Sequence, residues 1–434
     1  MEKSELKNIN PGDGVRVELI KQDYEGTLLE TSQDEKGLIL LKLKSGYNIG
    51  FVRKDVLNVK LLKKSPDKKE EESKTKHDSQ KPNVAMIITG GTIAARLNPK
   101  KGGVDWLTDP AMLLSAYPRL YEKVNVVKVE VPFMKASEDM DFKDWQKIAK
   151  TCESLLNDGN INGVIITHGT DFLHYTSAAL SFFLKDLNKP VVLTYSQRSV
   201  DRASSDANLN LQCAALGAIS DIAQVMLVGH ATTNDDYCYA MPGTKVRKLH
   251  SSRRDAFKVV NGKAYAKINA ENNSVEIISD YNRRGKSKQV KIDDKFEEKV
   301  ALLKVYPGQD PKILDFYVKE KYKGIVIEMS GLGHTPTMRA RNGWTKKLGE
   351  IQKKGMIVCA TTQCINGRVD PLVYSNGREL LETGIIYLED MLSETAIVKL
   401  GWVLGHKEWA SSKDKVKEMM LTNVAGELNN RIEE

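Results

Sequence analysis

Residues 84–94 read Val84-Ala85-Met86-Ile87-Ile88-Thr89-Gly90-Gly91-Thr92-Ile93-Ala94, and this stretch decides the fold. The unbroken apolar run ending at Ile88 predicts a strand buried on both faces, as in the middle of a parallel sheet. Gly90-Gly91 then lets the backbone turn sharply and leaves amide donors beside Thr92. A second stretch repeats the plan: Val164-Ile165-Ile166 is apolar, and Thr167-His168-Gly169-Thr170-Asp171 follows. In an open parallel sheet, ligands bind outside the carboxyl ends of the strands. Both hydroxyls, Thr92 and Thr170, are expected just past such ends. Either stretch alone also fits an ordinary turn, since Thr92, Thr170 and Asp171 are all acceptable helix N-caps.

Outward from these runs the α/β alternation continues. Residues 124–131 form another β-branched run. Asp141 caps a helix whose apolar face includes Phe142, Trp145, Ile148, Ala149, Cys152, Leu155 and Leu156, and Asp158-Gly159 ends it. A helix is expected over 172–184, with strands over 190–195 and 225–229. Strands alternating with helices predict a doubly wound parallel sheet. Between 269 and 299 the pattern dissolves into polar residues. Arg283, Arg284, Lys286, Lys288 and Lys291 have no acidic residue among them, and this basic surface is one an acidic partner or RNA could meet. A second α/β unit is expected beyond it, with strands at 301–305, 324–329 and 356–361 and a long closing helix over 413–431.

The N-terminus is different in kind. Pro11-Gly12-Asp13-Gly14 is a turn, and short strand-like runs follow at 15–20, 26–30, 37–43 and 47–52. Several short strands with close turns predict a small SH3-like β-barrel. Residues 63–82 are rich in Lys, Glu, Ser and Asp with almost no large apolar side chain, so they read as a charged tether. The expected division is a barrel over 1–62, a linker over 63–82, an N-terminal α/β domain over 83–275, a basic connection over 276–299 and a smaller C-terminal α/β domain over 300–434.

Composition bounds the rest. The 434 residues predict two to three domains, and 41% hydrophobic residues suffice for sizeable cores. The formal charge of +8 permits an RNA partner without demanding one, and the first sixty residues contribute none of it. The five cysteines are an odd number, and Cys359 and Cys364 have no second pair, so no metal site is expected. This usage fits a reduced, cytoplasmic compartment. Met1 to Asn10 is too polar for a signal peptide, and no apolar run approaches the ~18 residues of a membrane span.

A third stretch carries the base: Val246-Arg247-Lys248-Leu249-His250-Ser251-Ser252-Arg253-Arg254-Asp255-Ala256-Phe257. A threonine hydroxyl is a poor nucleophile and needs a base, an oriented partner and donors for the oxyanion. Lysine serves as a base only when burial or nearby cations lower its pKa, and Arg247, Arg253 and Arg254 are the candidates for that.

Taken in this order, the three motifs resemble the bacterial-type L-asparaginase/glutaminase family over roughly the last four fifths of the chain. The stretch after Lys248 looks more like the D subunits of archaeal glutamyl-tRNA(Gln) amidotransferases than like a free asparaginase. The resemblance implies an asparaginase-like two-domain, parallel-sheet α/β architecture behind the barrel. It implies Thr92 as the attacking group and Thr170, Asp171 and Lys248 as a relay. Gly91, Gly169, Ser137 and Glu138 would line the substrate, although free asparaginases usually have glutamine where Glu138 stands. Family members also place a tyrosine on a mobile loop after the first threonine. Residues 96–106 have none here, though Gly102-Gly103 can hinge a lid. His168 and His334 read as hydrogen-bonded scaffold, and 331–334 would border a neighbouring subunit's site.

The function so implied is a glutaminase subunit that supplies ammonia for converting Glu-tRNA(Gln) to Gln-tRNA(Gln). No P-loop occurs in this chain, so ATP and Mg are expected on a partner, the E subunit of the amidotransferase. A homodimer core of a heterotetramer is expected, with no membrane and no cofactor of the chain's own. A free cytosolic L-asparaginase would not need the barrel and tether. A catalytically idle tRNA-docking scaffold would not need intact threonines, aspartate and lysine.

Overall fold

The computed structural model describes residues 9–29, 37–43, 48–65, 78–97, 104–106, 116–200, 202, 204–285 and 289–432. The chain divides into two compact units, 1–76 with 94–116 and 199–205, and 77–93 with 117–198 and 206–434.

The first unit holds five antiparallel strands: β1 (Gly14–Leu19), β2 (Asp23–Leu28), β3 (Leu38–Leu43), β4 (Asn48–Val52) and β5 (Val56–Lys63). Their order is β4-β3-β2-β1-β5. Val15, Val17, Leu28, Ile39, Leu41, Phe51, Val56 and Val59 form its core. Strand β5 was not expected from sequence. Its buried residues, Val56 and Val59, stand three apart because the pairing with β1 shifts register at Glu18/Leu19, so the period-two signal is broken. The expected tether begins later than residue 63: the Lys64 ammonium and the Ser65 amide both bond the Asp13 carboxylate, at 3.1 and 2.8 Å. Residues 66–77 of it lie outside the described residues. So do 98–103 of the expected lid, including Gly102-Gly103. What flanks that stretch is a short antiparallel pair, Ala95–Leu97 against Val104–Trp106.

The second unit is built on two sheets. The larger includes β6 (Asn83–Ile88), β7 (Asn125–Glu130), β8 (Val164–Thr167), β9 (Val191–Thr194), β10 (Val225–His230) and β11 (Cys238–Pro242). A separate hairpin joins β12 (Val246–Lys248) to β13 (Phe257–Val259). Strands β14 (Ala266–Asn269) and β15 (Ser274–Ile277) complete the large sheet, in the order β15-β14-β11-β10-β9-β8-β6-β7. From β7 to β10 every pairing is parallel, and β11, β14 and β15 add an antiparallel edge. The chain leaves β6 for β7 on one side and returns as β8 on the other, so the strand order switches at β6.

Helix α1 (Leu120–Lys123) is one turn. Helix α2 (Phe142–Leu156) starts as its sequence requires: the Asp141 carboxylate accepts from the Lys143 amide at 2.8 Å, and Asp144 reaches back to the Asp141 amide at 3.2 Å. Ile148, Ala149, Cys152, Leu155 and Leu156 form its buried face. Helices α3 (Leu173–Phe183) and α4 (Ala207–Ile219) are buried almost all round. Such a helix shows no amphipathic period, which is why α4 escaped the sequence reading.

The smaller sheet has four parallel strands in chain order, β16 (Val300–Lys304), β17 (Gly324–Met329), β18 (Ile357–Thr362) and β19 (Ile386–Tyr387). Its helices are α5 (Ile313–Lys319), α6 (Thr345–Lys353), α7 (Ser375–Glu382), α8 (Ser393–Gly405) and α9 (Lys413–Leu421). One apolar core runs from the large sheet through α3 and α8 to the small one, joining residues such as Val164, Phe182, Trp402 and Val326.

Two further elements depart from expectation. The closing helix stops at Leu421, not near 431, because Thr422 is extended and Gly426 takes φ +79° as the chain doubles back. The basic connection is also not simply a surface. Arg284 spends its guanidinium on the carbonyls of Ser220, Asn162 and Ala218, and Ile222 bridges Arg283. Lys286 and Lys288 of that stretch lie outside the described residues.

Candidate active site

Strands β6 and β8 are neighbours, with Ile88 paired to Thr167 at their carboxyl ends. The loops that follow them therefore leave the sheet side by side, at the switch in strand order where open α/β sheets bind ligands. The Thr89 amide and hydroxyl both donate to the Thr167 carbonyl, at 3.2 and 2.8 Å. Gly90 and Gly91 have φ of +125° and +83°, a conformation L side chains rarely adopt. A Cβ on Gly90 would stand 2.3 Å from the Lys135 carbonyl, and one on Gly91 would stand 2.5 Å from the Gly169 amide. The glycines are there because three loops converge on one spot. Thr92 follows at once, half-buried at the start of a 3₁₀ turn.

Thr170, Asp171 and Lys248 meet. The Lys248 ammonium lies 2.8 Å from the Thr170 hydroxyl and 2.7 Å from the Asp171 carboxylate. The lysine side chain is only 9% exposed while that of Asp171 is 59% exposed, so the lysine is held from the protein side and the aspartate faces solvent. Lys248 ends β12, opposite Phe257 on β13. Once the ammonium has passed a proton to the Asp171 carboxylate, the amine nitrogen can take the proton of the Thr170 hydroxyl and return it.

Ser137 is buried and opens a 3₁₀ turn, Ser137–Asp139. Its hydroxyl accepts from the Phe172 amide at 3.3 Å and donates to the exposed Glu138 carboxylate at 3.3 Å. It would be the first atom met by a Cβ on Gly169, at 3.0 Å. Of the expected lining residues, Gly169 thus neighbours both Gly91 and Ser137. Their loop is pinned by Lys135, which bonds both oxygens of the nearly buried Asp144, at 2.9 and 2.8 Å. Burial pushes the Asp144 carboxyl up, but the Lys135 ammonium and the Asp141 amide outweigh it and hold it below the ordinary range. Neither Lys135 nor Asp144 stood out in the sequence.

His168 is scaffold, as expected. It is fully buried, one ring nitrogen meets the Gly169 carbonyl at 2.7 Å, and the other meets the Thr176 hydroxyl at 2.9 Å. A carbonyl can only accept, so Nδ1 carries the hydrogen. Burial pushes the imidazole down to about 4, so it is neutral near pH 7. His334 sits on the small-sheet side against Tyr374, ring centroids 5.6 Å apart.

The three arginines expected to press on Lys248 are otherwise engaged. Arg247 pairs with Glu394 at 2.9 Å, Arg253 with Asp255 at 2.5 Å, and Arg254 with Asp235 at 2.7 Å. Each positive charge is met by a carboxylate. Among the described residues no group of three or more His, Cys, Asp or Glu is placed to hold a metal ion.

The family described as Asparaginase, N-terminal, covers residues 83–282, and the Glutaminase/Asparaginase C-terminal domain covers 299–420. Residues 9–62 match the GatD N-terminal domain. The chain is 45% identical to the D subunit of glutamyl-tRNA(Gln) amidotransferase from Pyrococcus horikoshii, over 97% of this chain and 95% of that one. It is 40% identical to the protein of that name from Methanothermobacter thermautotrophicus, over 98% and 96%. Among solved structures it resembles the thermostable L-asparaginase from Thermococcus kodakarensis, with a TM-score of 0.69 and 28% identity over 80% of this chain and all of that one. L-asparaginase I from Vibrio cholerae shares the fold, with a TM-score of 0.67 and 24% identity over 80% of this chain and 99% of that one.

Proposed function

The chain belongs to the family of glutamyl-tRNA(Gln) amidotransferase D subunits, and on that premise we propose that Thr92, Thr170, Asp171 and Lys248 hydrolyse the side-chain amide of glutamine. The chain is the glutaminase subunit of a tRNA-dependent amidotransferase and works in an assembly with other subunits of that enzyme. The ammonia released serves the conversion of Glu-tRNA(Gln) to Gln-tRNA(Gln). The observation that carries the site assignment is the Thr170–Lys248–Asp171 line beside the Gly91–Gly169 junction.

In this reading the Thr92 oxygen attacks the amide carbon, and its proton passes to the relay. The relay returns a proton to the amide nitrogen, the carbon–nitrogen bond breaks, and ammonia leaves. Water then attacks the threonine ester, giving glutamate and restoring the hydroxyl. Backbone amides of the two glycine loops face the developing oxyanion. Ser137 and Glu138 hold the α-amino and α-carboxyl groups.

The E subunit of the amidotransferase is the partner that activates Glu-tRNA(Gln) with ATP and Mg and captures the ammonia. A homodimer of this chain forms the core of the heterotetramer. No described helix is long and apolar enough to cross a membrane, and we place the assembly in the cytoplasm. The match of residues 9–62 to a GatD N-terminal domain favours this reading over a free L-asparaginase or an idle docking scaffold.

The test is nitrogen flow in the assembled enzyme. Lys248→Ala should lose amidation driven by glutamine yet keep amidation driven by added ammonia. Loss of both reactions would rule out this division of labour, and faster turnover of asparagine than glutamine would restore the free-asparaginase reading.

A further inference from the structure

The strand that carries Lys248 is held from behind by the small-sheet side of the second unit. Three contacts converge on the residues just before it, all from 390–395. The Thr395 hydroxyl donates to the Thr244 carbonyl at 2.8 Å. The Lys245 ammonium bonds the Asp390 carboxylate at 2.7 Å, with both groups buried. The Arg247 Nε meets Glu394 Oε1 at 2.9 Å. Arg247 and Lys248 are consecutive on β12, so their side chains leave opposite faces of the strand. Whatever fixes the Arg247 face fixes the direction in which Lys248 points.

Glu394 is costly to keep where it is. Its side chain is only 10% exposed, and Oε2 is buried without a hydrogen-bond partner among the described residues. Beside it lies His174 on α3, with Nε2 at 3.9 Å from Glu394 Oε1 and a buried Nδ1 that also lacks a partner among the described residues. Burial and the charges of Arg247 and Lys248 push this imidazole down to about 3, so it gives Glu394 no countercharge. A well-packed apolar pair would serve stability at least as well as a buried ion pair with an orphaned oxygen. The arrangement calls for a reason other than stability, and the residue that follows Arg247 on β12 is the lysine of the relay.

We propose that Glu394, acting through Arg247, is a positioning residue that sets the Lys248 ammonium between Thr170 and Asp171. The inference rests on the glutaminase reading above and adds a residue to it from the other sheet. The Glu394 carboxylate locks the guanidinium, the guanidinium locks the roll of β12, and the roll of β12 aims the lysine. Losing the lock leaves substrate contacts through Ser137 and Glu138 intact and loosens only the relay.

The experiment is steady-state glutamine hydrolysis by the assembled enzyme with wild type, Glu394→Gln, Arg247→Gln and the double variant. Glu394→Gln should lower kcat at least about tenfold while KM moves less than about threefold, with melting within about 3 °C of wild type. The double variant should lose no more than the worse single one, since both act through one pair. A kcat within about twofold of wild type in Glu394→Gln overturns the proposal. So does a loss that tracks only a falling folded fraction, or losses that multiply in the double variant. Wild type that fails to hydrolyse glutamine overturns the glutaminase reading, whereas active wild type with unaffected Glu394→Gln overturns this inference alone.

Discussion

A Cβ placed on Gly91 would stand 2.5 Å from the amide nitrogen of Gly169, so the two strand-end loops are in backbone contact. Gly91→Ala must push one loop off the other. It also puts alanine at φ +83°, which costs about 1–2 kcal/mol. The displaced residues are those beside Thr92 and Thr170. A misplacement near 1 Å is worth about 100-fold in rate, so glutamine hydrolysis should fall at least that far. Activity close to wild type would mean that the loops part freely.

Thr92→Ala and Thr170→Ala should each remove amide hydrolysis by about 10³-fold or more, because groups that act as a unit fail together. The fold should survive, since Thr92 begins only a 3₁₀ turn and Thr170 precedes the capping of α3. Circular dichroism and melting curves check the fold, and glutamate release checks the chemistry. A variant with near-normal turnover would reduce its threonine to an ordinary loop residue.

The site was legible where chemistry and local structure coincide. Apolar runs ending in glycine and threonine marked β6 and β8, and Asp141 marked the start of α2. What sequence could not show depends on partners far along the chain. Arg247 looked like a cation free to press on Lys248, yet Glu394 pairs with it from α8. Arg284 looked like basic surface, yet three carbonyls of the large-sheet domain occupy it. Lys135 gave no signal, because its meaning lies in the buried Asp144. The antiparallel edge of the large sheet was missed because its strands are short and set among polar turns. Helix α4 was missed because burial on every side erases the period that reveals a helix.

Two buried histidines should make stability fall with acid. His168 is pushed down to about 4 and His174 to about 3, chiefly by burial, against about 6.5 in an unfolded chain. The unfolded state therefore binds their protons first. The associated stability is whole above about pH 6.5 and is lost as pH falls, until each folded pKa is passed. Each histidine adds a slope of up to about 1.4 kcal/mol per pH unit. Asp206 and Glu394, raised by burial, pull the opposite way as they protonate in the folded state. Urea unfolding of wild type and His174→Gln between pH 6 and 5 isolates one proton of slope. Parallel stability lines for the two proteins would show that His174 is not buried neutral.

The doubled-back C-terminus should depend on a single ion pair. Lys399 on α8 and Glu427 past Gly426 are both fully buried and pair directly. The ammonium also donates to the Met420 and Thr422 carbonyls, at 3.0 and 2.6 Å, while the carboxylate accepts from the Val424 and Ala425 amides. Burial pushes the Lys399 ammonium down, and Glu427 opposes that shift. Glu427→Gln leaves a buried charge without its counterion, which typically costs about 3–5 kcal/mol. Lys399→Met leaves the opposite charge stranded and should cost a similar amount. The double variant strands neither. It keeps a glutamine oxygen for the two amides and should recover most of the loss, since a buried pair is worth little against an apolar replacement. Denaturant midpoints of the four proteins measure the coupling. If the double variant is as unstable as the two single losses added together, the pair is not coupled and the C-terminal turn is held by its backbone bonds instead.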